Sequence, residues 1–312
     1  MRSAFAQELT DLAASDERVI LLIGDIGNHM FDDYQEKFPS NFINCGIAEA
    51  NMVSMAAGLA ICGMRPFIYT FTAFDTARCF EQIRVDLCYQ NLPVVILGLG
   101  GGLTYASLGP THYNCEDIAI MRSLPNMTVL CPGDAVEVRC SIREAMKQNG
   151  PVYIRIGKKN EPVVHTEIPD FQIGKAITCK TGNDVCIITT GTILPNALKA
   201  SELLDRKKIS TQVVHFHTVK PLNLTTLSAV FSQFDLVVTL EEHSLIGGLG
   251  SAIAEWYVDN SERKVKILRL GTRDEFLYTT IHQNEARDLY GLSPEKIADA
   301  IEREYNHKGT IS

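Results

Sequence analysis

Short apolar runs alternate with longer amphipathic segments along the first half of the chain. The short runs are rich in β-branched and aliphatic residues, and they predict strands near residues 19–24, 42–45, 66–69, 94–97, 128–130 and 152–155. The longer segments predict helices near residues 4–14, 48–62, 74–90, 116–123 and 135–147. Strands that alternate with helices imply crossover connections, so this half is predicted to form a parallel sheet covered on both faces.

A break in this pattern follows at KKNEPVVHTEIPDFQIG, residues 158–174, which mixes charge with two prolines and a glycine. It is predicted to be a linker in which a small hairpin is allowed. A second alternating set then predicts strands near 185–189, 211–215, 236–239 and 264–268, and helices near 195–204, 224–231, 248–258 and 294–304. We therefore expect an α/β protein with a parallel-sheet domain at 1–160, a linker at 161–174 and a smaller α/β domain at 175–312.

Composition and charge exclude several classes of function. The formal net charge is −8 and no block of lysine and arginine is present, which argues against a nucleic-acid binder. No signal-peptide pattern is visible, and no apolar run reaches the roughly 18 residues of a membrane helix. The nine cysteines form no C-x-x-C pair, which is typical of reduced thiols. A cytoplasmic protein without a membrane partner is predicted.

Two glycine-rich turns are candidates for ligand contact. GLGGGL at residues 98–103 follows a strand, but it is not G-x-G-x-x-G because position 103 is leucine. A dinucleotide site is therefore not predicted, although glycine still permits a close approach of the backbone to a ligand. GGLGSA at residues 247–252 opens a helix, where tight helix packing is preferred over an anion site.

Patterns for a bound metal ion are weak. Gly24-Asp25-Ile26 and Asn51 match the Gly-Asp-Gly…Asn signature for magnesium and a diphosphate only loosely, because Ile26 replaces the second glycine. His215 and His217 would share one face of a strand, but no third ligand has a zinc-like spacing. No metal site is predicted within this chain.

Four residues at strand-to-helix junctions are candidates for chemistry. Glu49 is the lone carboxylate of NCGIAEANM; it could complement a helix dipole, but burial among apolar neighbours would be costly without a partner. Phe71 and Phe74 fit either core packing or the stacking of a flat ligand. His112 ends the turn GPTH after a strand, where α/β sheets bind ligands.

Several motifs together resemble one enzyme family. The ordered set GIAEAN, YTFTAF, GPTH, RSLPNMTVLCPGDAVEV and EEHSLIGGLGSA is similar to the C-terminal part of transketolase and of deoxyxylulose-phosphate synthase. The resemblance runs from about residue 2 to residue 304. It implies a pyrimidine-binding domain followed by a transketolase C-terminal domain, with thiamine diphosphate as cofactor. The chain thus resembles the second subunit of a split transketolase, which transfers a two-carbon ketol unit from a ketose to an aldose.

The resemblance implies roles for the residues that match its cofactor site. Glu49 matches the catalytic glutamate, whose carboxyl group bonds N1′ of the aminopyrimidine and so promotes deprotonation of the thiazolium carbon. Phe74 matches the residue that stacks on the pyrimidine, and Phe71 lies beside it. Asp25 is also expected at the cofactor.

A second group of matches implies substrate contacts. His112 matches a substrate-contacting histidine, and Arg2 matches an arginine that binds the substrate phosphate. Lys158 stands where the family usually has a second phosphate-binding arginine, so it offers charge without a bidentate fork. His29 replaces a serine that helps to hold the same phosphate.

Three positions depart from the family pattern on the substrate side. Ser107 and Leu108 replace an acidic pair whose aspartate recognises a sugar hydroxyl, and Gly100 replaces a substrate-contacting histidine. The cofactor machinery is thus better matched than the sugar site. A specialised sugar substrate is expected, with Gly100 at the substrate.

The resemblance also implies partners. A separate N-terminal subunit is expected to hold the diphosphate and a magnesium, calcium or manganese ion, in an assembly of two copies of each chain. The alternatives are the beta subunit of a 2-oxo-acid dehydrogenase decarboxylating component and a non-catalytic scaffold subunit. GPTH and RSLPNMTVL favour transketolase over the first, and retention of Glu49 and Phe74 argues against the second.

Overall fold

The computed structural model describes residues 1–27, 29–158 and 160–307. In chain order its strands are β1 (Val19–Ile23), β2 (Phe42–Asn44), β3 (Arg65–Phe71), β4 (Val95–Leu99), β5 (Thr128–Leu130), β6 (Val152–Ile156), β7 (Ile177–Lys180), β8 (Val185–Thr190), β9 (Thr211–His215), β10 (Thr218–Lys220), β11 (Leu236–Ser244) and β12 (Lys266–Thr272). Seven of them form a sheet in the order β10-β5-β6-β4-β3-β1-β2, and five form a second sheet in the order β12-β11-β8-β9-β7. Each sheet is parallel except at one edge, where β10 and β7 run antiparallel to their neighbours.

Helices connect these strands and cover the sheets. They are α1 (Arg2–Ala13), α2 (Asp32–Lys37), α3 (Glu49–Ile61), α4 (Thr72–Asp75), α5 (Phe80–Gln82), α6 (Asp117–Arg122), α7 (Ala135–Ala145), α8 (Leu194–Arg206), α9 (Leu224–Gln233), α10 (Leu249–Asn260), α11 (Gln283–Leu289) and α12 (Pro294–His307). A π-helical segment, Ile83–Tyr89, continues from α5. Among the described residues no helix is long and apolar enough to span a lipid bilayer.

The side chains of β1 explain why both faces of the first sheet are covered. Ile20 and Leu22 join a buried cluster with α3, while Val19 and Leu21 join a separate cluster with α1. Successive side chains of a strand point to opposite faces, so an all-apolar strand requires a helical layer on each side. The predicted two-domain α/β fold is confirmed.

One sequence expectation about local structure is wrong, and one feature that the sequence allowed does not form in the described part of the linker. Residues 74–90 do not form one helix, because α4 ends at Asp75 and a turn at residues 76–79 precedes α5. The Thr76 hydroxyl donates to the Thr72 carbonyl at 2.5 Å, a bond that competes with a regular helical ladder. The hairpin allowed in the linker is absent from residues 158 and 160–174, where the Asp134 carboxylate accepts from the Val164 and His165 amides instead, each at 2.9 Å.

A buried arginine, paired with an aspartate of its own domain, also bonds the second sheet. Arg155 of β6 donates through Nε to the Asp117 carboxylate at 2.7 Å, and the Tyr153 hydroxyl donates to the same oxygen at 2.7 Å. Nη2 of Arg155 also donates to the backbone carbonyl of Glu242 in β11 at 2.9 Å. The Glu242 carboxylate accepts from the Leu103 amide at 2.7 Å, so the loop after β4 is fixed against the second sheet.

A second buried carboxylate secures the linker. Glu137 of α7 accepts from His165 Nε2 at 2.7 Å and from His215 Nδ1 at 3.0 Å. The Gly191 amide donates to Nε2 of His215, which assigns the ring proton to Nδ1. Burial opposes the charge of Glu137, but these hydrogen bonds and His215 hold its pKa well below the usual range. His215 thus has a structural partner.

Candidate active site

Glu49 lies at the edge of the first sheet where its parallel strands end. It is the first residue of α3, which follows β2, and it is 2% exposed. Gly24, directly after β1, lies beside this side chain: a Cβ there would make ordinary contact with Cγ of Glu49 at 3.6 Å and a tight contact with Oγ1 of Thr70 at 3.1 Å. A carboxylate is therefore buried at the carboxyl end of the sheet, the usual ligand-binding edge of α/β folds.

Arg78 is the partner of this carboxylate. Its Nη1 donates to Oε2 of Glu49 at 2.8 Å, and its Cζ lies 4.3 Å from the ring centroid of Phe74. The arginine side chain is 47% exposed, whereas that of Glu49 is 2% exposed. One guanidinium thus connects the buried acid, the aromatic face and the surface.

Aromatic rings form the adjoining wall. Phe71 and Phe74 pack edge to face with their centroids 5.5 Å apart, and His112 packs against them at 5.2 and 5.4 Å respectively. A cleft of about 590 Å³ opens at this wall and is lined by Phe74, Arg78 and, from the second domain, Phe276. The structure brings four sequence-predicted residues together, namely Glu49, Phe71, Phe74 and His112.

Tyr105 extends the wall toward two cations. Its ring meets Phe71 edge to face at 5.0 Å, and Nζ of Lys158 lies 4.7 Å from its centroid. Burial raises the pKa of Tyr105, and the neighbouring Arg2 opposes that shift. Gly100 has φ +78°, and a Cβ there would lie 2.1 Å from the Tyr105 ring. The tyrosine therefore fills the space that a side chain at position 100 would need.

Two predicted residues make contacts elsewhere. His29 has a side chain that is 91% exposed, and its Nδ1 lies 2.9 Å from the Asp32 carboxylate. Asp25 is exposed and accepts from Asn44 Nδ2 at 3.0 Å. Both have positive φ, 56° and 53°, in the turn that follows β1. They line this turn and do not join the Glu49 cluster through any of these contacts.

A further carboxyl group, Asp75, lies deeper in the site. It is fully buried at the end of α4, and neither of its carboxyl oxygens has a hydrogen-bond partner among the described residues. Burial raises its pKa well above the usual range, and the charges of Asp117 and Glu49 act in the same direction. The surroundings of Asp75 therefore favour its protonated, neutral form over its carboxylate.

A carboxylate of the protein itself occupies the glycine-rich start of α10, in the segment GGLGSA. The Glu241 carboxylate accepts from the Leu249 and Gly250 amides at 2.7 and 2.9 Å. A Cβ on Gly248 would lie 2.0 Å from the same carboxylate, so glycine permits this packing. Within the described ranges, no group of three His, Cys, Asp or Glu side chains could hold a metal ion.

Sequence reasoning missed Arg78, Tyr105 and Asp75. Arg78 follows Phe74 by four residues, a spacing that would have paired the two side chains on the helix predicted there, although the structure has a turn at residues 76–79 instead. Tyr105 gives no such signal, because its fit over Gly100 depends on the path of the intervening loop. Asp75 is an acid in an apolar segment, which was itself a detectable anomaly.

Comparison with known proteins identifies the family. The transketolase pyrimidine-binding domain model matches residues 1–163, and the transketolase C-terminal domain model matches residues 174–297. The chain is 38% identical over 307 residues to a transketolase C-terminal section of Methanocaldococcus jannaschii, covering 97% of this chain and 96% of that protein. It is 35% identical to a 6-deoxy-6-sulfo-D-fructose transketolase subunit of a Clostridium species, covering 96% and 92%.

Similarity extends to solved structures and to one sister family. A split gene transketolase, solved as an inactive β4 tetramer, superposes with a TM-score of 0.88 at 33% identity, covering 98% of this chain and 97% of that one. A 1-deoxy-D-xylulose-5-phosphate synthase of Rippkaea orientalis is 35% identical over 303 residues, which span 47% of its length. The chain belongs to the transketolase family and contains its pyrimidine-binding and C-terminal domains.

Proposed function

We propose that this chain is the C-terminal subunit of a split transketolase and transfers a two-carbon ketol unit from a ketose to an aldose. The observation that carries the proposal is the buried carboxylate of Glu49 beside the face of Phe74. A flat, basic heterocycle needs both groups, one to bond a ring nitrogen and one to stack on the ring. The family relationship supports thiamine diphosphate as that heterocycle.

The donor set fits the aminopyrimidine. Glu49 is positioned to hold a proton at a ring nitrogen, and its burial strengthens that hydrogen bond because water does not compete. Phe74, supported by Phe71, offers the stacking surface, and Asp25 lies at the same edge of the sheet. When bound, thiamine diphosphate supplies the electron sink that a two-carbon transfer needs. The residues of this chain bind it, orient it and exclude water.

The opposite end of the wall suits an anionic sugar. Arg2 and Lys158 both lie close to Tyr105, and a sugar phosphate or sulfonate would find two cations there. We assign His112, which packs edge to face on both Phe71 and Phe74, to a hydrogen bond with the sugar. We assign Gly100 to a backbone contact with the sugar and His29 to the rim of the anion site.

The metal ion and the diphosphate are assigned to a separate N-terminal subunit. This assignment is supported by the resemblance to split transketolases, and the described residues offer no carboxylate cluster for magnesium, calcium or manganese. The related β4 tetramer is inactive, which is expected if a chain of this kind requires a second subunit. We propose an assembly of two copies of each chain.

The test is reconstitution with the N-terminal subunit, followed by an assay of ketose and aldose phosphates and sulfonates. Glu49→Ala should reduce turnover by roughly 100- to 10,000-fold while the assembly stays intact, because proton transfer by a positioned acid contributes about that factor. Glu202→Ala changes an exposed glutamate of α8 and serves as the control. Unchanged turnover in Glu49→Ala would refute the assigned role, and a fully active assembly of this chain alone would refute the need for a partner.

A further inference from the structure

Arg78 makes the two contacts that the proposed function assigns to the aminopyrimidine. It donates a hydrogen bond to Glu49 Oε2 at 2.8 Å, and it stacks on Phe74 with Cζ 4.3 Å from the ring centroid. A guanidinium is planar and carries N–H donors along its edge, and it stacks on aromatic faces. It therefore shares the shape and donor pattern of a protonated aminopyrimidine edge.

We propose that Arg78 is a placeholder for the cofactor ring, which must displace it in order to bind. This inference rests on the proposed function. A ring that stacks on the face of Phe74 covered by Arg78, and that donates to Oε2 of Glu49, would need the space that the guanidinium fills. Arg78 and the aminopyrimidine are therefore competitors, and the cofactor binds to the fraction of molecules in which Arg78 has swung out.

The local structure allows that movement. Arg78 lies in the turn at residues 76–79 between α4 and α5, and its side chain is 47% exposed. Among the described residues, the Arg78 side chain makes a single hydrogen bond, the one to Glu49, so its release breaks one ion pair. The side chain also lines the cleft of about 590 Å³, which extends from Phe74 to Phe276 and gives the guanidinium open space to move into.

The placeholder would also protect the subunit before it meets its cofactor. A carboxylate that is 2% exposed is costly without a partner, and Arg78 supplies one. The same contact that stabilises the free subunit should weaken cofactor binding. These opposite effects distinguish a placeholder from a residue that merely shapes the site, since loss of the latter would impair both stability and binding.

The experiment measures thiamine diphosphate binding and subunit stability in the same variants. Calorimetric titration of thiamine diphosphate with Mg²⁺ is done on the complex with the N-terminal subunit, and urea unfolding is done on this subunit alone. Arg78→Ala should bind the cofactor about two- to fivefold more tightly, the range expected for release from a half-exposed ion pair, and should unfold at a lower urea concentration. Arg78→Lys keeps the charge but loses the planar stack, so its cofactor affinity and its urea midpoint should lie between those of the unaltered protein and those of Arg78→Ala. Arg84→Ala, at an exposed arginine of the π-helical segment, is the control.

The outcomes separate this inference from the proposed function. Equal or weaker cofactor binding in Arg78→Ala, with normal binding in the unaltered complex, would overturn the placeholder role alone. Failure of every complex to bind thiamine diphosphate, the unaltered one included, would overturn the proposed function and this inference with it. Tighter binding together with lower stability would support the placeholder.

Discussion

Replacing Arg155 by methionine should strongly destabilise the protein, because it removes the cation that fastens the two domains. Arg155 is 4% exposed and its partner Asp117 is completely buried. The substitution keeps most of the apolar stem but leaves Asp117 with only the Tyr153 hydroxyl, since its other oxygen already lacks a partner among the described residues. The Glu242 carbonyl loses its donor as well.

The size of the effect follows from burial. Breaking a buried ion pair by removing one partner costs about 3–5 kcal/mol, because an uncompensated charge stays inside the protein. With a urea m-value of about 3 kcal/mol/M, the unfolding midpoint should fall by roughly 1 M or more. Arg139→Met is the matched control, since that arginine is partly exposed and its partner Glu8 keeps a second arginine, Arg143. It should change stability by about 1 kcal/mol or less.

Equilibrium urea unfolding followed by far-UV circular dichroism measures the effect. Adding Asp117→Asn to Arg155→Met removes the unpaired buried charge of Asp117 and should recover about 1 kcal/mol or more of the free energy of unfolding. A loss below about 1 kcal/mol in Arg155→Met would refute the reasoning. A double variant less stable than the single variant would refute it equally, because the penalty would then not come from the unpaired carboxylate.

Two pH-dependent predictions concern other buried groups. The pKa of Asp75 is raised in the folded state, mainly by burial, so folding stability is lost as the pH rises from about 4, the unfolded pKa, through the folded pKa. Asp75→Asn should therefore gain stability relative to the unaltered protein over that range. A difference in urea midpoint that does not change with pH would contradict this. The pKa of His165 is raised by its hydrogen bond to Glu137 and by the charges of Glu137 and Asp134, while burial opposes the shift. The contribution of His165 to folding stability is therefore complete below about pH 6.5, the unfolded pKa, and is lost as the pH rises through the folded pKa. The stability difference between His165→Gln and the unaltered protein should accordingly shrink between pH 6 and pH 9, and a difference that grows would refute the assignment.

The sheets and the acid at their edge could be predicted from sequence for one physical reason. A parallel strand is buried on both faces, so it appears as a short all-apolar run such as residues 19–23, and the helix after it shows a different period. The same logic located Glu49, because a charged residue at the start of an apolar helix is anomalous wherever the fold places it. Family resemblance then gave it a role.

Other features depend on contacts between distant segments, which no local pattern records. β10 has three residues and belongs to the second half of the chain, yet it pairs with β5 at the edge of the first sheet. The break between α4 and α5 lies in a segment whose composition suits a continuous helix. Residues 28, 159 and 308–312 lie outside the described residues, so the last part of the predicted C-terminal domain is untested there.

The candidate site is supported from both domains. Glu49, Phe74 and Arg78 are held within the first domain, by the ends of its parallel strands. The loop that carries Gly100 to His112 is instead anchored from the second domain, because Glu242 accepts from Leu103 and the backbone of Gly102 lies against Glu242. Tyr105 and His112 of that loop pack on Phe71, and His112 also packs on Phe74, so the loop carries the second domain's support to the aromatic wall beside Glu49. A change that loosens the contact between Leu103 and Glu242 should therefore reach both ends of the wall.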